Sequence, residues 1–287
     1  VAGWIGRGAR SPVRNVLLTE ATTPETYGRA FGFERSMDSA GAIVGPLCAL
    51  FLVATVGVRA TFVCTIVPGL VAALLITFVV QEKPHEARPK ASFIGAFRKL
   101  PARFRRFLLG VGVAGLGDFS NTLLILWATR IWTPRFGEAR AATFAVAFYV
   151  GYNVVYTVTC YVAGSLADRF DKRHVLAFGY ALAVVPAVAL LVPGDSFLKF
   201  AIAFGVSGAY MGVWETVESS TAASYLPTEI RGTGFGFLAT VNGFGDLLSS
   251  ILVGGLWAVS PAAAMLYVIV TSLLGAAIIT LTPAESS

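Results

Sequence analysis

The sequence predicts an all-α integral membrane protein, a bundle of lipid-spanning helices, and three observations carry that prediction. Hydrophobic residues make up 56% of the 287 and charged residues only 13%, with a mean hydropathy of +0.73, a balance far from that of a water-soluble domain. Charge-free runs recur at 39–58, 60–80, 141–167, 175–194 and 247–284, each as long as the roughly 20 residues a helix needs to cross the hydrocarbon. The remaining charges crowd into the segments between those runs. Backbone polar groups in lipid must pair within their own segment or in a closed barrel, and these runs are too long and too weakly alternating for barrel strands.

Taken in order, the first 36 residues carry five basic residues and precede the first full span. Spans follow at about 37–57 and 60–80, separated at Arg59. A long polar loop comes next. Within it Phe93, Ile94, Phe97 and Leu100 alternate with Arg98, Lys99 and Arg103, the pattern of a short amphipathic helix lying on an anionic leaflet; a solvated linker is the alternative. Further spans are expected at about 107–131, 141–165, 175–193, 197–223, 233–257 and 261–281, the last two parted at Ser260 and Pro261. The connecting segments alternate sides, and 17 of the 22 basic residues fall on one side. The positive-inside rule makes that side cytoplasmic and places both termini there.

Two of the loops on that side repeat each other. Gly28-Arg29-Ala30-Phe31-Gly32-Phe33 and Gly232-Thr233-Gly234-Phe235-Gly236-Phe237 share the pattern G-x-x-F-G-F at an offset of 204 residues, and the offset also pairs Asp38 with Asn242 and Gly41 with Gly245. Six expected spans separate the two, so the repeating unit is a six-helix half with the same orientation both times. Two six-helix pseudo-repeats are expected, the first incomplete. The divisions are residues 1–82 as the remainder of an N-terminal half, 83–106 as the central loop and 107–287 as the C-terminal half.

Between two apolar walls lies Gly164-Ser165-Leu166-Ala167-Asp168-Arg169-Phe170-Asp171-Lys172-Arg173. It resembles the G-x-L-A-D-R-x-G-R-R signature of the major facilitator superfamily, departing at Asp171 and Lys172. Gly41, Gly45 and Pro46 resemble the superfamily's fifth-helix G-x-x-x-G-P motif of proton-coupled antiporters, with Ala49 and Leu50 where a glycine pair is usual. Residues 6–14, GRGARSPVR, resemble the end of helix four in bacterial efflux-type members. The resemblance implies an N-terminally truncated chain running from the end of helix 4 to helix 12. It also implies a gate motif formed by Gly164, Asp168, Arg169, Lys172 and Arg173, in which charge contacts between helices hold one packing and release the other. Fixing topology is the plainer role for the three cations.

Asp118, Glu215, Glu218 and Asp246 interrupt otherwise apolar spans, and an ionised acid at mid-bilayer costs at least ~2.5 kcal/mol, so such residues face a cavity or a partner. Glu215 and Glu218 are spaced i, i+3 and share a helix face. Carboxylates that close in low dielectric hold a proton between them. Asn121 lies i+3 from Asp118 on one continuous helix. The resemblance implies that helices seven and ten line the central cavity, which sets Asp118, Asn121, Trp214, Glu215, Glu218 and Asp246 on the substrate or proton path. The alternative is a set of interhelical hydrogen bonds, the reading favoured for Asn153. Gly208 with Gly212, and Gly41 with Gly45, are pairs of small residues that let helices approach closely.

Cys48, Cys64 and Cys160 sit within expected spans at no metal-ligand spacing and read as packing residues. Both histidines, His85 and His174, fall in loops. No phosphate loop, metal cluster or Ser, His, Asp set meets at one depth, so no enzyme activity, cofactor or metal is expected, nor a nucleic-acid partner. The expected partners are the lipid bilayer, a small-molecule substrate and protons. The chain is thus expected to serve alternating-access transport in the bacterial cytoplasmic (inner) membrane, as proton-coupled efflux by antiport, the full-length protein acting as a monomer. Uptake of a metabolite, or a non-transporting receptor or scaffold of the same fold, is the alternative.

Overall fold

The computed structural model describes residues 2–79 and 93–283, and every element among them is helical. In chain order the α-helices are α1 (Ala2–Glu20), α2 (Tyr27–Cys64), α3 (Ile66–Val79), α4 (Phe93–Lys99), α5 (Ala102–Gly115), α6 (Asn121–Phe136), α7 (Glu138–Arg169), α8 (Lys172–Leu182), α9 (Val184–Leu191), α10 (Phe197–Tyr225), α11 (Arg231–Val259) and α12 (Pro261–Thr280). Among the described residues, six stretches are long and apolar enough to cross a membrane: Phe51–Leu75, Glu138–Arg169, Lys172–Leu191, Phe197–Tyr225, Thr228–Val259 and Pro261–Thr280. The sequence suggested eight.

Local backbone chemistry accounts for one of the two missing spans. The span expected at 107–131 is two helices, α5 and α6, parted at residues 116–120. Gly115 and Gly117 weaken the helix there, and Ser120 starts a new one by accepting a hydrogen bond from Thr122 N–H at 3.2 Å. Tight packing keeps the break glycine-lined, because a Cβ on Gly117 would meet the Thr271 side chain of α12. Helix α2 starts at Tyr27, ten residues before the expected 37, and leaves helical geometry at Gly57 with φ 81°, a conformation natural to glycine alone. The expected division near Arg59 therefore falls two residues early.

The repeat read from sequence is repeated in the backbone. Short 3-10 turns, Pro24–Thr26 and Thr228–Ile230, precede α2 and α11 at the same 204-residue offset. Thr26 (φ −120°, ψ 5°) and Ile230 (φ −117°, ψ 8°) have nearly the same conformation. Equivalent side chains meet: the Phe31 and Phe235 rings lie 6.2 Å apart, and the Arg231 guanidinium sits 5.6 Å over the Tyr27 ring.

Helix α7 is the hub, packed on α10, α2 and α6. In lipid no water is expelled by helix association, so close backbone contact through small residues has to supply the attraction. A Cβ on Gly212 would come within 2.9 Å of Thr159 Cβ, and one on Gly208 would strike the Tyr152 carbonyl. Gly28 and Gly164 meet in the same way between α2 and α7, and Gly32 lies against the Cys160 backbone. The contact continues through Ser36 Oγ, which donates to the Thr157 carbonyl at 2.8 Å, and Ser39, whose Oγ is 2.7 Å from Thr157 Oγ1. Among the described residues, nothing lies within 4 Å of where a Cβ on Gly41 or Gly45 would sit, and Pro46 is exposed, so the expected close approach through these glycines has no partner there.

At the opposite end of α7, Trp132 is fully buried among Phe144, Phe148, Phe197 and Phe200, and its Nε1 donates to the Asp195 carbonyl at 2.9 Å. Helix α4 lies on protein: Phe97 packs edge-on against Phe237 at 5.4 Å and Leu100 is 3% exposed. The remainder of the expected linker, 83–92, lies outside the described residues, as do the side chains of Phe93, Ile94 and residues 2–10.

Candidate substrate and proton site

A cavity of about 210 Å³ opens between four helices. Helix α1 contributes Ser11 and Asn15, α2 contributes Arg35, α10 contributes Trp214, Glu215 and Glu218, and α11 contributes Phe235, Asn242 and Asp246. Four of the six residues expected on the substrate or proton path are therefore brought together: Trp214, Glu215, Glu218 and Asp246.

The two glutamates occupy different environments despite their shared face. Glu218 is 3% exposed and accepts three hydrogen bonds: from Trp214 Nε1 at 2.6 Å and Tyr180 OH at 3.0 Å on Oε2, and from Asn242 Nδ2 at 2.6 Å on Oε1. All three partners are neutral donors that suit a carboxylate. Glu215 Oε2 accepts from Tyr156 OH at 2.6 Å and lies 3.5 Å from Arg35 Nη1. Arg35 also approaches Glu34 at 3.6 Å, and Glu34 pairs with Arg14. The expected proton-sharing pair is thus two separately satisfied carboxylates.

Asp118 and Asn121 do not line this cavity. The helix expected to carry both is broken between them: Asp118 sits in the 116–120 segment, its Oδ1 buried without a hydrogen-bond partner, and Asn121 opens α6, donating to Tyr152 OH at 2.9 Å. Asp118 faces the Tyr210 hydroxyl of α10, one turn along from Trp214. Asn153 donates to the Tyr149 carbonyl at 2.8 Å, a local bond within α7.

The signature stretch is placed where α7 meets α2. Asp168 accepts from Gly28 N–H at 2.7 Å, Arg29 N–H at 2.9 Å and Arg29 Nε at 3.2 Å. Gly164 makes the backbone contact beside it. The cations do not join this link. Arg169 is exposed and makes no ion pair among the described residues; Lys172 begins α8. Arg173 pairs with Asp171 and donates to the Thr282 carbonyl beyond α12. Asp171, a departure from the signature, caps α8 by accepting from Arg173 N–H at 2.9 Å. The Arg173 side-chain hydrogen bond holds the Asp171 carboxyl below its ordinary range.

Arg29, Arg35, Tyr156, Tyr180 and Asn242 are site residues that sequence reasoning missed. Arg29 and Arg35 read as topology charges because the first span was set at 37. A signal was present: Gly28, Phe31, Gly32, Ser36 and Ser39 recur at helical spacing, which carries the helix back through Arg35.

Compared with known proteins, residues 1–250 match the family described as Major Facilitator Superfamily. An uncharacterized MFS-type transporter of Methanocaldococcus jannaschii is 27% identical over 266 residues, 92% of this chain and 66% of that protein. The gallate transporter of Pseudomonas putida is 29% identical over 166 residues, 55% of this chain and 36% of the relative. The cis,cis-muconate transport protein of Acinetobacter baylyi is 24% identical over 266 residues, covering 87% and 62% respectively. The chain spans about two thirds of the length of the first of these relatives.

Proposed function

The chain belongs to the major facilitator superfamily, and from that premise we propose that it serves proton-coupled transport of a small organic solute by alternating access, with Glu215 as the carboxylate that takes up and releases the proton. One observation carries the reading. Glu215 on α10 faces, inside a polar cavity, an arginine on the helix of the other repeat, so its charge state bears directly on how α2 and α10 are held together. Protonation removes the attraction to Arg35 and loosens that link; release of the proton restores it. Relatives named for gallate and cis,cis-muconate support a small organic solute as cargo.

The signature stretch and the basic loops define the cytoplasmic face in this reading, and Asp168 on Gly28 and Arg29 is the latch of that face. Both termini are then cytoplasmic, in a bacterial cytoplasmic membrane, and the transporter works as a monomer by efflux. Residues 1–82 belong to one six-helix half, 107–287 to the other and 83–106 to their connection. Proton-coupled uptake is the alternative direction, favoured by Arg35, a cation in the cavity that suits an anion moving together with a proton.

The test uses the whole transporter carrying this chain, in proteoliposomes. Glu215→Gln imitates the protonated state: exchange of solute without a gradient continues, while accumulation driven by an imposed pH gradient is lost. A Gln variant that accumulates solute like the parent removes Glu215 from coupling. The side on which solute accumulates decides between efflux and uptake, and absence of gradient-dependent flux in the parent supports a scaffold.

A further inference from the structure

The Arg35 guanidinium is held loosely for a cation in a cavity between helices. Its Nη1 meets Glu215 at 3.5 Å, and its buried Nε has no hydrogen-bond partner, Glu34 lying at 3.6 Å, beyond hydrogen-bond reach. Among the described cavity-lining residues it is the one with a buried polar side-chain atom left without a hydrogen bond. Guanidinium presents a planar fork of donors that matches a carboxylate in two parallel bonds, and Glu215 engages one nitrogen of that fork through an oxygen already accepting from Tyr156. The cavity's other acids are placed differently. Glu218 is occupied by three donors, and Asp246 lies on α11. Trp214 and Phe235 give apolar faces to a space of about 210 Å³, smaller than pockets that enclose drug-sized ligands, which run from roughly 300 Å³.

We propose that Arg35 anchors a carboxylate on the cargo, a small organic acid with an apolar body, and that this carboxylate and Glu215 compete for the same guanidinium. The proposal rests on the reading of this cavity as the transport site. It explains how one arginine serves both ions: a proton on Glu215 frees the Arg35 fork, the incoming carboxylate takes it, and departure of both returns Arg35 to Glu215. No bond is made or broken beyond the proton's transfer onto and off the Glu215 carboxylate. The titratable and charged groups around the pair are Tyr152, Tyr156 and Cys160 on α7, Glu34 and Asp38 on α2, Arg14 on α1 through its pair with Glu34, Glu218 on α10 and Asp246 on α11, with Asp118 acting from outside the cavity. The competition is therefore read by substitution as well as by pH.

Calorimetric titration of the whole transporter in nanodiscs tests this, with benzoate and cis,cis-muconate, their neutral amides, and benzylamine as probes. The acids bind at least about tenfold more tightly than the amides, the value of one charge-assisted hydrogen bond. Acid binding tightens when Glu215 takes a proton. Arg35→Gln brings the acids down to the amides' level and Arg35→Lys retains part of the preference. Glu215→Gln, which removes the rival carboxylate, tightens acid binding and flattens its pH dependence. Should Arg35→Gln fail to fold, the acid-to-amide ratio in the parent and the Glu215→Gln shift decide alone. Amides binding as well as acids, benzylamine binding in preference, or no probe binding overturns the proposal. Acid binding that depends on Arg35 but not on pH leaves the anchor standing and removes proton coupling; gradient-driven flux of a neutral or cationic solute that depends on Glu215 does the reverse.

Discussion

Asp168, in the last turn of α7, accepts a 2.7 Å hydrogen bond from the backbone N–H of Gly28, in the first turn of α2 and 140 residues away in sequence. The first N–H groups of a helix have no partner within it and carry its positive end, so one carboxylate from another helix satisfies two of them, Gly28 and Arg29. The absence of a Cβ at Gly28 and Gly164 allows that approach, since either would strike the opposite backbone carbonyl.

Removing the charge at Asp168 weakens this link without disturbing either helix. Asp168→Asn keeps one acceptor oxygen, loses the charge and sets an amide donor toward Arg29. Charge-assisted bonds are worth roughly 1.5–3 kcal/mol, so the equilibrium shifts by about tenfold or more toward the conformation open at this face, with near-normal expression. Cys160, fully buried beneath Gly32, reports it: with Cys48 and Cys64 replaced, maleimide labelling of Cys160 rises. Unchanged labelling removes Asp168 as a latch.

The glycines of α7's two interfaces separate gating from folding. Gly164→Ala sets a methyl against the Gly28 backbone, where α2 and α7 can move apart, and is expected to raise Cys160 labelling at little cost in stability. Gly208→Val overpacks α10 against the Tyr152 backbone of α7, a contact with no release, at a cost of about 1–3 kcal/mol. Thermal unfolding in detergent distinguishes them: a large drop in Tm for Gly208→Val, a small one for Gly164→Ala. Equal drops place the Gly28–Gly164 contact in the fixed core.

The helical membrane fold, the 204-residue offset and the cavity acids were legible in the sequence because each rests on a local or periodic signal: length, apolarity, or a motif repeated at fixed spacing. The offset reappears even in the 3-10 turns before Tyr27 and Arg231. What the sequence did not show depends on partners far along the chain. Nothing near Glu215 marks Arg35 or Tyr156 as its partners, and nothing near Glu218 marks Tyr180. The break at Asp118 was foreshadowed by Gly115, Gly117 and Ser120, but apolarity through Leu116 and Phe119 hid it. Gly41 and Gly45 show the limit of a motif, since spacing says that close approach is possible and not that this conformation makes it.

Asp171 gives a pH signature outside the membrane. Its carboxyl lies below the ordinary range because Arg173 donates side-chain hydrogen bonds to it. A depressed folded value contributes stability above the unfolded carboxylate value, about 3.9, and that contribution is lost as pH falls through the folded value. With 38% of the side chain exposed, screening keeps the ion pair within about 1 kcal/mol. Asp171→Asn keeps an acceptor at the cap and shows a slightly lower Tm than the parent at neutral pH, the two converging once the pH has fallen below the folded value. Asp171→Ala also loses the α8 cap, about 1 kcal/mol, and stays below the parent throughout. A parent and Asn variant that differ equally at both pH values exclude the ion pair as the cause.

The most exacting prediction concerns Glu218, because its geometry argues against the role its spacing suggests. A carboxylate is acceptor-only, and Trp214 Nε1 and Asn242 Nδ2 face its two oxygens at 2.6 Å each, so an amide at this position sets its NH₂ against one donor or the other. Glu218→Gln therefore either leaves Trp214 Nε1 unsatisfied or forces the Asn242 amide to turn over, at about 1–3 kcal/mol, and weakens the hold of α10 on α11. The expected outcome is a lower Tm and a changed Trp214 emission, read in a variant with the other tryptophans replaced, while the pH dependence of transport keeps its parental midpoint. Glu215→Gln, which can still accept from Tyr156, shows the opposite pattern: stability near the parent and pH dependence lost. If Glu218→Gln instead folds as stably as the parent and moves the midpoint, the three donors do not fix its charge, and the proton belongs to both glutamates jointly.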